Sequence, residues 1–167
     1  LEKISVFYYT YIVNIFSEDE AGDIIEFSED AFEVSECLIN GNNINLVDYI
    51  KDNNIDIQMP LVANNNGIFI NVSIKSIDED NKIVHFYAPV LADNKYCFAK
   101  DVTDYARAFA DNIADMEDVK PLFSCNCILN YLYGELEGKK TPPFEGPITF
   151  GEVAYQLLNQ TLVYVEC

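Results

Sequence analysis

Ile68-Phe69-Ile70-Asn71-Val72-Ser73-Ile74-Lys75 alternates apolar Ile68, Ile70, Val72 and Ile74 with Phe69, Asn71, Ser73 and Lys75. A period of two puts the apolar set on one face of a strand. Asp78-Glu79-Asp80-Asn81 supplies a turn and Ile83 to Leu91 a returning strand, so the stretch predicts an antiparallel hairpin. Upstream, the β-branched and aromatic run from Ile4 to Phe16 predicts a long strand, broken by the polar residues 17–23. Further strands at Ile24 to Phe27 and Phe32 to Ile39 give residues 1–43 the character of a meander, part of the same fold as residues 44–167. Asn40-Gly41-Asn42-Asn43 reads as a turn, and Leu46, Val47, Tyr49 and Ile50 as a short helix ended by Asn53-Asn54. Tyr96 to Ala99 reads as another strand.

From Asp101 the period changes. Thr103 is placed to cap a helix in which Ala106, Phe109, Ile113 and Met116 recur at three- and four-residue spacing. Pro121 to Ser124 predicts a short buried strand, and Ile128, Leu129, Leu132, Tyr133 and Leu136 a second amphipathic helix. Gly138 to Pro147 reads as a loop and Leu162 to Glu166 as a closing strand. The expected class is α+β: a mostly antiparallel sheet packed against two or three helices.

Composition narrows function mainly by exclusion. The chain has 167 residues, half of them hydrophobic, which suffices for a core of ordinary size. Its 10 Lys and Arg against 28 Asp and Glu leave a formal charge of −18. Such a surface repels phosphate backbones and anionic leaflets, so neither nucleic acid nor membrane is an expected partner. No apolar run reaches the roughly 18 residues of a membrane span, and the first residues lack the layout of a signal peptide. Leu1 in place of Met is expected of a fragment or a processed product. Cys37, Cys97, Cys125, Cys127 and Cys167 are odd in number and irregular in spacing, which fits a reducing cytoplasmic setting better than a disulfide framework.

Two short stretches can carry chemistry. Cys125-Asn126-Cys127 follows the strand and opens the helix, where free N–H groups and the helix dipole favour a thiolate or a bound anion. Cys125 is accordingly a core residue, a ligand contact or a nucleophile. Thr149-Phe150-Gly151-Glu152 reads as a capping box for a helix over Val153 to Leu157, Gly151 permitting close approach of another strand or of a ligand. His85 is the single histidine and reads as structural; with a CxC pair it cannot complete a zinc shell, so no metal is expected. The acidic turns lack the glycine and glutamate of a calcium loop, and no glycine-rich phosphate loop occurs, so no cofactor is expected.

Pro121-Leu122-Phe123-Ser124-Cys125, then Phe144-Glu145-Gly146-Pro147-Ile148-Thr149-Phe150-Gly151-Glu152, then Leu158-Asn159-Gln160-Thr161-Leu162-Val163 resemble, in this order, the C-terminal half of the FIST domain. Met59-Pro60-Leu61, Val72-Ser73-Ile74 and Tyr87-Ala88-Pro89-Val90 extend the resemblance, which runs from Ile44 to Val165. The family's cysteine is typically followed by an arginine, whereas Asn126-Cys127-Ile128-Leu129 carries no base here. The resemblance implies a cytoplasmic, non-catalytic sensory domain of signal transduction that binds a small molecule, an amino acid above all, and reports to a signalling partner protein. It also implies one pocket formed by Ser124, Cys125 and Asn126 with Thr149, Gly151 and Glu152, the first group holding a carboxylate and Glu152 an ammonium. Two alternatives stand beside it. One is an enzyme with Cys125 as nucleophile and Glu152 or His85 as base. The other is a protein-interaction domain that pairs through the edge strand at Ile4 to Phe16.

Overall fold

The computed structural model describes residues 7–65, 67–154 and 156–167. In chain order, β1 (Tyr9–Val13), β2 (Ile25–Glu26), β3 (Ala31–Val34), β4 (Glu36–Ile39) and β5 (Asn42–Asn45) precede α1 (Leu46–Asp52). β6 (Leu61–Asn65), β7 (Ile68–Val72), β8 (Ile74–Asp78), β9 (Ile83–Val90) and β10 (Lys95–Phe98) lead to α2 (Tyr105–Ala114). After β11 (Phe123–Cys127) and α3 (Ile128–Tyr133) come β12 (Ile148–Thr149), β13 (Glu152–Ala154), β14 (Gln156–Leu158) and β15 (Leu162–Glu166). Strands take up about 40% of the residues and helices 14%, so mostly antiparallel sheet is the coarse description.

Two larger sheets carry the molecule. One has the order β5-β4-β2-β10-β6-β7 and is antiparallel throughout. The other, β1-β15-β11-β12, is antiparallel except for the parallel β11–β12 pair. A three-stranded sheet, β3-β9-β8, shares one apolar core with the six-stranded sheet and α1, built on Ile25, Leu61, Val72, Val84, Phe86 and Leu46. A second core joins Phe109 and Ile113 of α2 to Val13, Leu162 and Tyr164 of the four-stranded sheet.

Several expectations are corrected by the way the chain is shared between sheets. The strand expected over Phe32 to Ile39 is two strands, β3 and β4, in different sheets. Buried Val34 and Cys37 are three residues apart, a spacing that a straight strand would send to opposite faces. The break at Ser35, whose carbonyl accepts from the Leu46 amide at 2.9 Å, brings both into the same core. The run Ile68 to Lys75 likewise breaks at Ser73: β7 pairs with β6, which the sequence reading missed, and only β8 pairs with β9. Its polar face is only partly solvated: Lys75 is exposed, whereas Asn71 and Ser73 are buried against the 159–160 segment. The first strand spans Tyr9 to Val13 within the expected Ile4 to Phe16, of which residues 4–6 lie outside the described residues. The 43/44 boundary falls inside β5.

Local chemistry explains the helix ends. Asp104, not Thr103, caps α2, its carboxylate accepting from the Arg107 amide at 2.9 Å. α3 ends after six residues at Gly134, and Leu136 lies beyond it. Asn40 and Gly41 take φ of 49° and 79°, the two positive values a two-residue hairpin turn between β4 and β5 requires.

The segment after α3 is fixed by one close approach. The Gly146 amide donates to Ser124 Oγ at 3.1 Å, and a Cβ on Gly146 would sit 1.5 Å from the Ser124 carbonyl oxygen. Gly146→Ala is therefore expected to lower stability by at least about 2 kcal/mol through overpacking. Gly138→Ala, at φ 70° with open space around it, is expected to cost about 1 kcal/mol. Calorimetric comparison of the two variants checks this; equal losses would contradict it.

Candidate functional site

β11 is the centre of the candidate region, with β15 on one side and β12 on the other. Asn126 stands opposite Leu162 of β15 and Ile148 of β12, so the three motif segments of the sequence lie side by side. Alternation along β11 sends Ser124 and Asn126 to one face and Cys125 and Cys127 to the other.

The strand-to-helix junction expected at Cys125 to Cys127 is present, β11 ending where α3 begins, but two of its amides are not free: the Asn126 amide donates to the Pro147 carbonyl at 3.0 Å and the Cys127 amide to the Thr161 carbonyl at 3.1 Å. Cys127 is the N-cap of α3 but makes no side-chain capping bond. Cys125 packs beside the apolar cluster of Ile70, Ala154, Leu158 and Val163. Burial, and then the Glu152 carboxylate, push its thiol up; the same two causes raise Cys127 to about 11.

The capping box is corrected as well. Residues 152–154 and 156–158 pair as the antiparallel strands β13 and β14, in place of the helix expected over Val153 to Leu157. A capping box bonds each of the two side chains to a backbone amide; here the side chains bond each other, Thr149 Oγ1 donating to Glu152 Oε1 at 2.8 Å. Thr161 Oγ1 donates to Glu152 Oε2 at 2.9 Å, a tertiary contact that spacing within the motif could not reveal. Gly151 admits β14: a Cβ there would lie 3.0 Å from Leu157 Cδ1 and 3.2 Å from the Leu158 carbonyl oxygen. Glu152 is 1% exposed, and burial pushes its carboxyl up to about 7 although Thr149 and Thr161 oppose the shift.

A buried polar chain leads from this region through the core. Asn130 Nδ2 donates to Asn126 Oδ1 at 3.0 Å, and the Tyr105 hydroxyl donates to Asn130 Oδ1. Gln160 Nε2 lies 3.5 Å from the Tyr105 hydroxyl and donates to the Gln58 carbonyl at 2.9 Å, while the Ser73 hydroxyl donates to Gln160 Oε1 at 2.6 Å. Among the described residues, two buried side-chain polar atoms have no hydrogen-bond partner, Asn126 Nδ2 and Asn159 Nδ2. Leaving such a donor unpaired costs about 1–3 kcal/mol.

Asn126 also lines a cleft of about 300 Å³. Tyr131, Leu136, Phe144 and Ile148 give it apolar walls, and the exposed Lys139, Lys140 and Glu145 give it charge. Of the six residues that the sequence reading assigned to a pocket, Asn126 alone lines this cleft; Ser124, Cys125, Thr149, Gly151 and Glu152 do not. The missed residues had a faint signal, an adjacent Lys139-Lys140 pair in a chain with 10 basic residues. His85 is in the three-stranded sheet, its Nδ1 3.2 Å from Glu33 Oε1, while Cys125 is in the four-stranded sheet. Among the described residues no group of three or more His, Cys, Asp or Glu side chains is placed to hold a metal ion.

The sequence model of DUF6976, a family of unknown function, matches residues 5–167. The chain belongs to DUF6976. No curated protein and no solved structure matches it. Among the described residues no helix is long and apolar enough to cross a membrane.

Burial of Glu152 is expected to make the stability of this DUF6976 chain depend on pH. In the unfolded chain its carboxyl ionises near 4.5, while the folded protein keeps the proton to about 7. Between those values the folded state binds more protons, so the contribution is fully present below 4.5 and is lost as pH rises through about 7. Thr149 Oγ1, 3.4 Å from the Asn126 carbonyl, has a second acceptor when Glu152 is protonated. Denaturant titrations at pH 5 and 8 are expected to show the Glu152→Gln variant losing about 2 kcal/mol less than wild type over that interval. Identical pH dependence in the two proteins would show that Glu152 does not titrate there.

Proposed function

We propose that this domain is a non-catalytic, small-ligand-binding sensory module of FIST type, working in the cytoplasm and reporting to a signalling partner protein. The observation that carries the binding reading is Asn126, 5% exposed, in the wall of the cleft with its Nδ2 unpartnered. Functional pockets place a few polar groups among apolar and aromatic walls, and a buried donor in need of an acceptor is such a group. A volume of about 300 Å³ suits one small metabolite, an amino acid included, rather than a nucleotide or a folded partner. The FIST likeness itself rests on the order of the three C-terminal motifs, which run together along β11, β12 and β15. The same reading takes the architecture as α+β, with sheets packed on helices as Phe109 and Ile113 of α2 do.

Chemistry weighs against the enzyme alternative. A thiol pushed up by burial and by a neighbouring carboxylate stays protonated at neutral pH and is a poor nucleophile. Pairing through β1 has one observation in its favour: it ends the four-stranded sheet, with Tyr9 and Tyr11 exposed. A dimer that Tyr9→Lys dissolves on gel filtration would support that reading.

Thermal-shift measurement against a panel of amino acids and related metabolites tests the proposal. A true ligand at 100 times its Kd adds about 2.7 kcal/mol of stability, a rise of several degrees. A panel that leaves Tm unmoved would remove the ligand-binding reading. In a companion experiment, iodoacetamide at pH 7 is expected to modify exposed Cys167 well before Cys125. Rapid alkylation of Cys125 would reinstate the enzyme.

A further inference from the structure

The cleft beside β11 holds more information than its existence. In a chain of net charge −18, Lys139 and Lys140 stand together at its wall. Lys51, Lys82, Lys95 and Arg107 each lie within 4.0 Å of a carboxylate; among the described residues Lys139 and Lys140, like Lys75, Lys100 and Lys120, have no carboxylate that close, and Lys139 and Lys140 are the two that are adjacent. Two adjacent cations held against the prevailing sign of the surface raise the local concentration of small anions.

Asn126 sets the polarity of the buried end. Its Oδ1 is occupied by Asn130 Nδ2, and Asn130 is itself oriented by the Tyr105 hydroxyl on its own oxygen. The relay leaves over the NH2 half of Asn126, which can only donate. The wall of the cleft therefore holds a buried spare donor, with cations outside, and its complement is an acceptor with negative charge. Glu145 lines the same cleft and disfavours a second negative charge. A phosphate is also poorly matched, because the backbone amides of Asn126 and Cys127 are already used by Pro147 and Thr161.

We propose that the cleft binds a small monocarboxylate with an apolar body, its carboxylate meeting Asn126 Nδ2 and the Lys139–Lys140 pair and its body lying on Tyr131 and Phe144. Asn126 is the specificity-determining residue, and Asn130 and Tyr105 are positioning residues that fix its amide. This inference rests on the ligand-binding reading and adds the class of ligand.

Three probes of one shape and different charge test it: phenylacetate, phenylacetamide and phenethylammonium. Each is titrated into the uniformly 15N-labelled chain, with the Asn126 side-chain amide and the backbone amides of residues 131–146 followed by NMR. The expected result is saturable shifts at those sites with phenylacetate, about tenfold weaker binding of phenylacetamide and none of phenethylammonium. The Lys139→Ala/Lys140→Ala variant, altered only at exposed positions, is expected to weaken phenylacetate about tenfold and to lose most of its salt dependence. Asn126→Asp is expected to abolish the preference for the acid over the amide. Equal or tighter binding of phenylacetamide or phenethylammonium, or no shift in the cleft with phenylacetate, overturns the inference. A metabolite hit of neutral or cationic chemistry in the thermal-shift panel would do so while leaving the binding reading intact, and a silent panel would remove both.

Discussion

Gln160 is the residue through which the parts of this molecule are tied. It is 1% exposed and sits just before β15, yet its partners come from across the chain. Its side chain accepts from the Ser73 hydroxyl and donates to the Gln58 carbonyl, and its own carbonyl accepts from Asn71 Nδ2 at 3.5 Å. A buried amide left unpaired would cost more than any one of these bonds returns, so the break at Ser73, the turn at 56–59 and the entry to β15 are adjusted together. The left-handed backbone of Gln160, φ 51°, is a local cost of about 1 kcal/mol that this set of bonds offsets. Asn14, just after β1, ties the same two sheets through Asn71 and the Phe69 carbonyl of β7.

Polar burial of this kind also divides the motif residues by role. Glu152 is enclosed by Thr149 and Thr161 and does not line the cleft beside β11; it belongs to the interior, where its proton affinity depends on burial. Asn126 is continuous with the same polar interior through Asn130 and Tyr105, but it also reaches the cleft. Asn126 is thus linked by hydrogen bonds to side chains reaching to Gln160, whereas Cys125 packs on aliphatic neighbours with the Glu152 carboxylate nearby. That contrast is the physical reason for moving the centre of the candidate site from the cysteine to the asparagine.

Short-range chemistry was readable from residues alone. Asn40-Gly41 specifies a tight hairpin because both positions must accept positive φ. Phe109 and Ile113 define the buried stripe of α2 through their four-residue spacing. β9 and β15 stand where their β-branched and aromatic runs predict strands. The Thr149–Glu152 bond was not readable: the Thr-x-x-Glu spacing reads as a pair of helix-capping side chains, and the two side chains bond each other between strands instead.

Which sheet each strand joins was settled only by tertiary structure. A strand's alternation states that one face is covered and says nothing about which neighbour covers it; for β7 both faces are covered, and Asn71 and Ser73 face Gln160 instead of water. The cleft was hidden for the same reason. Asn126 and Lys139-Lys140 are separated by α3, and they meet only because Gly146 lets the returning segment lie against Ser124. The sequence by itself determined periodicity, turns and an acidic surface, because these depend on covalent geometry and neighbours a few residues away. The partners of the buried polar groups were decided by the folded chain, because a hydrogen bond across 87 residues, as between Ser73 and Gln160, leaves no local pattern.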